Sequence, residues 1–256
     1  MSLARAIIKR VVPLPKLEDY DRFLFIGPHP DDLELGAGAT AAKLCAMGKT
    51  VRFLICIDGR FGITPAVEGT APEALVGIRQ EEARRAAGKL GVRDVVFLGL
   101  CDGGFYEIKE LEEGIFRQIS DFQPDVIFAP DPCVTNECHK DHLNVGNAAR
   151  NAAVFAPNAG IMEKHGCVPS DVKAIAFYMT AKFNSYVNTS GFLSRQLEAL
   201  SEFPSQFPEG SGDRKAFFTY VKLRSALNGA RIFSTAAEGF RVLGGIHMHC
   251  LPEMGD

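Results

Sequence analysis

The sequence predicts an α/β protein: a three-layer, Rossmann-like fold with helices on both faces of a mostly parallel sheet. Between residues 22 and 179, short apolar runs alternate with longer segments of helical character, which is the pattern of βαβ units. Polar clusters follow four of the apolar runs, at 28–34, 58–62, 102–104 and 131–142. Because such sheets bind ligands outside the carboxyl ends of their strands, we expect the active site at that edge.

Each expected element is bounded by turn or capping residues. The predicted strands cover residues 22–27, 49–57, 92–100, 124–130 and 172–179. The predicted helices are an Ala-rich segment that ends at Gly48 and the segments 71–91, 107–122, 141–154, 190–203 and 213–232. Pro72 in the first turn of the second helix and Gly91 after its last turn are typical helix boundaries.

The chain contains no internal repeat, no low-complexity segment and no clear linker. Its length of 256 residues fits one large α/β domain with a sizeable core. We therefore predict a single domain over residues 1–256. The motifs described below fall within 22–150, and we expect the less regular C-terminal part, 180–256, to pack over the site.

The composition is that of an ordinary globular protein, with 46% hydrophobic residues, 23% charged residues and a formal net charge of −3. We find no basic stripe for nucleic acid, no apolar run of about 20 residues for a membrane span, and no signal peptide. Seven cysteines without a C-x-x-C pair indicate reduced thiols. These features predict a cytoplasmic protein that binds neither nucleic acid nor a membrane.

The stretch FIGPHPDDLELGAG, residues 25–38, concentrates ionisable groups where a buried strand is followed by a helix. His29 and Asp32 are three residues apart, so their side chains can converge on the first helical turn. Asp31 then points elsewhere, close enough to touch a metal-bound water without being a ligand. Capping of the helix N-terminus would account for one carboxylate, but it does not require His29.

A second cluster, ECHKDHLNVG at residues 137–146, follows the fourth predicted strand. His139 and His142 are again three residues apart, and we expect this strand beside the first one. Two imidazoles and a carboxylate are a common catalytic zinc set with one position open for water, and they also suit iron or cobalt. Asp141 is suited to accept from an imidazole N–H. An isolated H-x-x-H is usually incidental, so it is the pair of clusters that predicts a metal site.

The motifs PHPDDLELGAG and CHKDH resemble those of the LmbE/PIG-L-type zinc-dependent N-acetylglucosaminyl deacetylase family. That family carries P/A-H-P-D-D-x-E after its first strand and H-x-D-H after its fourth. Other segments are similar to further family elements: DGRFG (58–62), IRQEEARRAAGKLG (78–91), FLGLCDGG (97–104) and PSQF (204–207). The resemblance covers roughly residues 22–207, and the two metal motifs are highly specific as a pair.

The resemblance implies that Zn²⁺ is bound by His29, Asp32 and His142. It implies that Asp31 is the general base for a zinc-bound water, and that His139 stabilises the oxyanion or protonates the leaving amine. The implied reaction removes an N-acetyl or similar acyl group from a small, glucosamine-containing substrate, which is a linear amide and not a peptide. Family members form homo-oligomers, and the resemblance implies the same here.

Arg79 and Asp102 are implied by the resemblance to contact substrate hydroxyls. Glu34 is a spare acid in the first motif, and we interpret it either as a buttress for the first imidazole ligand or as a solvent-facing side chain. The sequence departs from the family at Lys140, where proline is common, and at Phe203, where some members carry histidine. The second departure leaves open which C-terminal group acts as an acid or base.

Other hypotheses are open at this point. Gly36, Gly38 and Ala41 spell the G-x-G-x-x-A of a dinucleotide-binding Rossmann module, with Asp58 about 20 residues further on. The preceding acids would repel a pyrophosphate, so we expect these glycines to allow close helix packing instead. A metal-dependent hydratase would use the same metal, water and base. The late HMHC segment, 247–250, alternates like one face of a strand, where we favour ordinary packing over a metal role.

Overall fold

The computed structural model describes residues 8, 10–249 and 251, which contain one seven-stranded sheet. The strands are β1 Arg22–Gly27, β2 Thr50–Ile57, β3 Asp94–Leu100, β4 Val126–Pro130, β5 Ala174–Tyr178, β6 Ser185–Asn188 and β7 Ala237–Gly244. Their spatial order is β3-β2-β1-β4-β5-β7-β6. Strands β1 to β5 pair in parallel, whereas β7 is antiparallel to β5 and to β6. The mostly parallel sheet predicted from the sequence is confirmed.

Helices connect the parallel strands and pack on both faces of the sheet. They are α1 Asp32–Ala46, α2 Pro72–Leu90, α3 Ile108–Phe122, α4 Lys140–Phe155, α5 Ala159–Lys164, α6 Leu193–Leu200 and α7 Gly212–Ala230. Short 3₁₀ turns occur at Leu17–Asp19, Pro65–Val67 and Gly245–Met248. The three layers are therefore helices, sheet and helices, as expected for a Rossmann-like fold.

Strand β1 divides the core into two halves because alternate side chains point to opposite faces. Phe23 and Phe25 lie in the cluster that includes α1, α2 and α6, and Leu24 and Ile26 lie in the cluster that includes α3 and α4. The Phe25 ring stacks on that of Phe128 in β4, with centroids 4.2 Å apart. Burying each such side chain contributes about 1.5–3 kcal/mol, which favours an interior position for β1 in the sheet.

The order of the strands explains where the two polar motifs meet. β1 pairs with β2 on one side and with β4 on the other, so the direction of winding reverses between β1 and β4. This is the topological switch point at which open α/β sheets bind ligands. The turn after β1 carries the first motif and the loop after β4 carries the second, so both lie at the same edge of the sheet.

Most predicted boundaries lie within two residues of the observed ones, but three elements, α5, β6 and β7, were not predicted. Helix α1 begins at Asp32, earlier than its Ala-rich segment indicates. The strand alternation considered for 247–250 is wrong, because His247 belongs to a 3₁₀ turn and its Nε2 lies 3.3 Å from the Val12 carbonyl. Cys250 lies outside the described residues. None of the helices in the described part of the chain combines the length and the hydropathy of a membrane span.

Candidate metal centre

The first motif forms the turn between β1 and α1. The His29 backbone N–H donates to Asp32 Oδ2 over 2.9 Å, which ties the turn to the first residue of the helix. Asp31 precedes the helix with φ at 108°, a region that residues other than glycine seldom adopt, and its side chain makes no capping hydrogen bond. Helix capping therefore does not explain Asp31, whose carboxylate accepts from Arg79 Nη2 instead.

Three side chains from the two motifs converge on one point. Asp32 Oδ2 lies 3.3 Å from His29 Nδ1 and 3.3 Å from His142 Nε2. In tetrahedral zinc sites with bonds of about 2.0–2.2 Å, neighbouring ligand atoms are about 3.3–3.6 Å apart. Burial raises the pKa of the Asp32 carboxyl, but the contacts with His142 and His29 outweigh burial and hold this pKa well below its ordinary value. The donor set and its spacing fit one divalent cation.

The other ring nitrogen of His29 contacts two carboxylates. Its Nε2 lies 3.2 Å from Asp102 Oδ1 and 3.3 Å from Asp141 Oδ2. Burial lowers the pKa of His29, but the surrounding carboxylates raise it well above its ordinary value. Asp141 is fully buried and also accepts from the Tyr106 hydroxyl and the Gly103 N–H, each over 2.9 Å. Asp141 thus contacts an imidazole as expected, and Asp102, expected to contact substrate, contacts the same ring.

Glu137 is a site residue that the sequence analysis did not single out. Its Oε2 lies 3.1 Å from His142 Nδ1, on the side of the ring opposite to Asp32. Its Oε1 accepts from the His139 backbone N–H over 2.8 Å. The available signal was its position two residues before His139, in the same motif.

Arg79 lies behind the turn of the first motif. It is 3% exposed, and its Nη2 donates to the Pro30 carbonyl over 2.6 Å and to Asp31 Oδ2 over 3.1 Å. A Cβ atom on Gly59 would lie 2.4 Å from Arg79 Nη1, and one on Gly62 would lie 2.5 Å away. The glycines of the DGRFG segment therefore leave the space that the guanidinium occupies.

Burial and charge act in opposite directions on Asp31. Burial raises the pKa of its carboxyl, the Arg79 guanidinium lowers it and the Asp32 carboxylate raises it, which leaves this pKa at about 7. A carboxyl group with a pKa near neutrality is matched to accepting and returning a proton at physiological pH. The Asp31 side chain lines the same cavity as the three convergent donors.

His139 lies directly before α4 and lines the cavity. Its Nδ1 accepts from the Asp141 backbone N–H over 3.3 Å, so the neutral ring carries its proton on Nε2. The His139 side chain is 48% exposed, whereas that of His142 is 15% exposed. His139 is therefore the more accessible of the two imidazoles in the second motif.

Glu34 does not have the contact expected of it. It is fully buried, so it does not face solvent, and neither carboxylate oxygen has a hydrogen-bond partner among the described residues. The predicted buttress for His29 is thus wrong, because Asp102 and Asp141 contact that ring instead. Burial, together with the charges of the neighbouring acids, raises the pKa of Glu34 to about 8.

One cavity of about 400 Å³ at the carboxyl edge of the sheet is lined by seven of the predicted residues: His29, Asp31, Asp32, Arg79, Asp102, His139 and His142. The fully buried Glu34 and Asp141 do not line it. Its lining also includes Phe61, from the loop after β2, and Gln206, from the PSQF segment. Gln206 Nε2 donates to the Gly62 carbonyl over 2.9 Å, which joins the C-terminal part of the chain to that loop. The cavity has the size and polarity to admit a small polar molecule.

The glycines of the dinucleotide-like pattern serve packing. A Cβ atom on Gly36 would lie 2.2 Å from Cδ2 of the fully buried Tyr178 ring, and one on Gly38 would lie 3.2 Å from Gln196 Cγ. Asp58, which would hold a ribose in such a module, instead accepts from Arg60 Nε and Nη2 over 2.8 and 2.6 Å. The expectation that these glycines allow close helix packing is confirmed.

Comparison with known proteins gives consistent matches. The family model described as PIG-L, GlcNAc-PI de-N-acetylase, matches residues 24–153. The diacetylchitobiose deacetylase of Thermococcus kodakarensis is 32% identical, covering 91% of this chain and 87% of that protein. The 1D-myo-inositol 2-acetamido-2-deoxy-alpha-D-glucopyranoside deacetylase of Kineococcus radiotolerans is 30% identical, covering 78% of this chain and 60% of that protein.

Solved structures agree with the sequence matches. The N,N′-diacetylchitobiose deacetylase of Pyrococcus horikoshii superposes with a TM-score of 0.87 at 28% identity, covering 98% of this chain and 97% of that one. The hydratase GalB of Pseudomonas putida shares the fold, with a TM-score of 0.73 at 16% identity over 87% of this chain and 96% of that one. Because both metal motifs lie within the matched segment, we conclude that the chain belongs to the PIG-L, or GlcNAc-PI de-N-acetylase, family.

Proposed function

We propose that this protein is a metal-dependent hydrolase that removes the N-acetyl group from a small substrate containing N-acetylglucosamine. One observation carries the proposal: donor atoms of His29, Asp32 and His142 lie within 4.8 Å of one another, beside a carboxyl group with a pKa of about 7. The first three groups would hold a cation, and Asp31 would exchange a proton. Hydrolysis of an unstrained amide requires both functions.

His29, Asp32 and His142 would hold the metal, and we assign zinc. Two imidazole nitrogens and one carboxylate oxygen form a three-ligand set that leaves one position open. When bound, the ion lowers the pKa of water at that position to about 7 and polarises the substrate carbonyl. Iron and cobalt suit the same donors, and metal analysis of the purified chain distinguishes the three ions.

Asp31 is the proposed general base. Its carboxylate lines the cavity without belonging to the convergent donor set, so it is free to take a proton from the attacking water. The Arg79 guanidinium, 3.1 Å from Oδ2, fixes the orientation of the carboxylate. A positioned base of this kind contributes about 10²–10⁴-fold to the rate.

His139 is the proposed stabiliser of developing negative charge. Because its Nδ1 accepts from the Asp141 N–H, Nε2–H can donate to the carbonyl oxygen of the substrate as that oxygen becomes negative. One such donor is worth about 10²–10³-fold in rate. Asp31 holds the proton taken from water and returns it to the amine nitrogen, so that acetate and the free amine leave the cavity.

The comparisons support an amino-sugar substrate. Two relatives are named for the deacetylation of diacetylchitobiose and of an inositol-linked acetamido sugar, and the matched solved structure is also a diacetylchitobiose deacetylase. The cavity is lined by polar side chains that can meet hydroxyl groups, and we retain Asp102 as a candidate for such contacts. For Arg79, which the resemblance implies to contact substrate, we propose the orientation of Asp31 instead. The hydratase shares only the fold with this chain, so amide hydrolysis is the better supported reaction.

Further features of the proposal concern the whole chain. We infer a single domain in which the C-terminal part contributes to the site, because Gln206 lines the cavity beside the first two motifs. We also infer a cytoplasmic homo-oligomer that binds neither nucleic acid nor a membrane. Sedimentation of the purified chain measures its assembly.

Acetate release tests the proposed function. The purified chain is loaded with one equivalent of zinc and incubated with N-acetylglucosamine, N,N′-diacetylchitobiose or an inositol-linked N-acetylglucosaminide. We expect equal amounts of acetate and free amine from at least one of these compounds, loss of activity on chelation, and recovery with zinc. Hydration of a carboxylated hydroxymuconate by the zinc-loaded chain, with no acetate from any amide, would contradict the proposal and favour a hydratase.

A further inference from the structure

Glu137 contacts both histidines of the second motif. Its Oε2 lies 3.1 Å from His142 Nδ1, and its Oε1 accepts from the His139 backbone N–H over 2.8 Å. Helix α4 begins at Lys140, directly after these contacts. One carboxylate therefore lies against the ring of one histidine and the backbone of the other.

We propose that Glu137 is the positioning residue that presents His142 to the metal, an inference that rests on the proposed function. Nε2 of His142 points to Asp32 Oδ2, over 3.3 Å, and must be unprotonated to bind a cation. The neutral ring then carries its proton on Nδ1, and this N–H donates a hydrogen bond to Glu137 Oε2. This contact fixes both the tautomer and the rotation of the ring.

The His29 ring is held in the corresponding way but from buried groups. Its Nδ1 points to Asp32, and its Nε2 contacts Asp102 and the fully buried Asp141. The Glu137 side chain, by contrast, is 25% exposed. Each imidazole is thus held through the ring nitrogen that does not face Asp32, and only His142 is held by a partly exposed loop residue.

The loop that carries Glu137 is anchored independently at its start. Asp131 accepts from Arg241 Nη2 over 2.5 Å and from Arg241 Nε over 2.9 Å, and its Oδ2 also accepts from the Thr180 hydroxyl over 2.6 Å. These contacts tie the beginning of the loop to β7 and to the segment that follows β5. Removal of the Glu137 carboxylate should therefore release the His142 ring while the start of the loop stays in place.

The chemistry of the side chain gives a graded test. A carboxylate has two acceptor oxygens and can serve the His142 ring and the His139 N–H together, whereas the amide of Glu137→Gln has one acceptor oxygen. Glu137→Ala removes both acceptors. We therefore expect zinc affinity to fall in the order wild type, Gln variant, Ala variant.

The experiment is competition for zinc between the full chain and a chromogenic chelator. Relative to the wild type, we expect about 10- to 100-fold weaker binding for Glu137→Ala and an intermediate loss for Glu137→Gln. The control is Cys138→Ser on the same loop, whose thiol contacts the Asn136 carbonyl over 3.7 Å; we expect its affinity to match the wild type. The melting temperature of the metal-free Ala variant should stay within about 3 °C of the wild type, because removal of the Glu137 carboxylate frees the His142 ring without disturbing the core.

Two results would overturn different claims. If Glu137→Ala binds zinc as tightly as a wild-type chain that binds one equivalent, the positioning role is wrong and the proposed function stands. If the wild-type chain itself binds no stoichiometric zinc, iron or cobalt, the proposed function fails, and the inference about Glu137 fails with it.

Discussion

Arg79 and Asp31 face each other across 3.1 Å, between Nη2 of the guanidinium and Oδ2 of the carboxylate. The same Nη2 donates to the Pro30 carbonyl, and Nη1 donates to the Gly59 carbonyl over 3.0 Å. One buried guanidinium therefore joins the turn after β1 to the loop after β2. It also orients the carboxylate that we propose as the base, which favours a positioning role for Arg79 over direct contact with substrate.

Replacing this guanidinium should lower kcat more than it changes KM. Arg79→Met leaves Asp31 without its charged partner, and small displacements of a catalytic group cost up to about 10²-fold in rate. We expect kcat for acetate release to fall about 10- to 100-fold with zinc content unchanged. Arg84→Met, on the same helix with a 51% exposed side chain, is the matched control and should behave as wild type. A large rise in KM at constant kcat would show that Arg79 binds substrate instead.

The proposed base has its own test. Asp31→Asn keeps the shape of the side chain but cannot accept a proton, and a base of this kind contributes about 10²–10⁴-fold. We expect the variant to retain one zinc per chain and to lose acetate release by about that factor. Metal content and turnover are measured on the same preparation. Full turnover with zinc bound would refute the assignment of Asp31.

Glu34 predicts a pH dependence of stability for the metal-free chain. Burial raises its pKa to about 8 in the folded protein from an ordinary value of 4.5, so folding favours its protonated form. Its contribution to stability is complete below about pH 4.5 and is lost as the pH rises toward about 8. Glu34→Gln is neutral at every pH, and we expect it to raise the free energy of unfolding by about 1–3 kcal/mol at pH 7.

Urea titrations of the metal-free wild type and Glu34→Gln at pH 4.5 and pH 7 measure this effect. The gain should appear at pH 7 and be small at pH 4.5, where the wild-type carboxyl is neutral in the folded state and about half protonated in the unfolded state. An equal gain at both pH values would mean that the substitution acts through packing and not through charge.

The tight approach of α1 to β5 predicts a large effect at Gly36. A Cβ atom there would lie 2.2 Å from the Tyr178 ring, which is fully buried and cannot move away without disturbing the core. We expect Gly36→Ala to lower the free energy of unfolding by about 1–3 kcal/mol. Gly77→Ala, at an exposed position of α2 with no atom within 4 Å of the added Cβ, should instead be neutral or stabilising by up to about 1 kcal/mol. Equal stability of both variants by urea unfolding would contradict the packing role of Gly36.

The sequence predicted β1 to β5 well, because buried parallel strands appear in a sequence as apolar runs. It also predicted the two motifs, because clusters of ionisable side chains are not expected in a hydrophobic core. It did not predict β7, Ala237–Gly244, in which Glu238 is buried and accepts from the Thr40 N–H over 2.7 Å. In the sequence, a glutamate of this kind cannot be distinguished from a surface residue, because the backbone N–H that it accepts from is far away in the chain. Within the site, the contacts of Glu137 depend on loop geometry, and the burial of Glu34 depends on how its helix packs, neither of which residue spacing determines.

The central claim is that His29, Asp32 and His142 bind one divalent cation. Anomalous diffraction from a crystal of the zinc-loaded protein, recorded at the zinc edge, tests it most directly. We predict a single peak per chain about 2.0–2.2 Å from His29 Nδ1, an Asp32 carboxylate oxygen and His142 Nε2. A peak instead between His29 Nε2, Asp102 and Asp141, or no peak within reach of these three donors, would contradict the account.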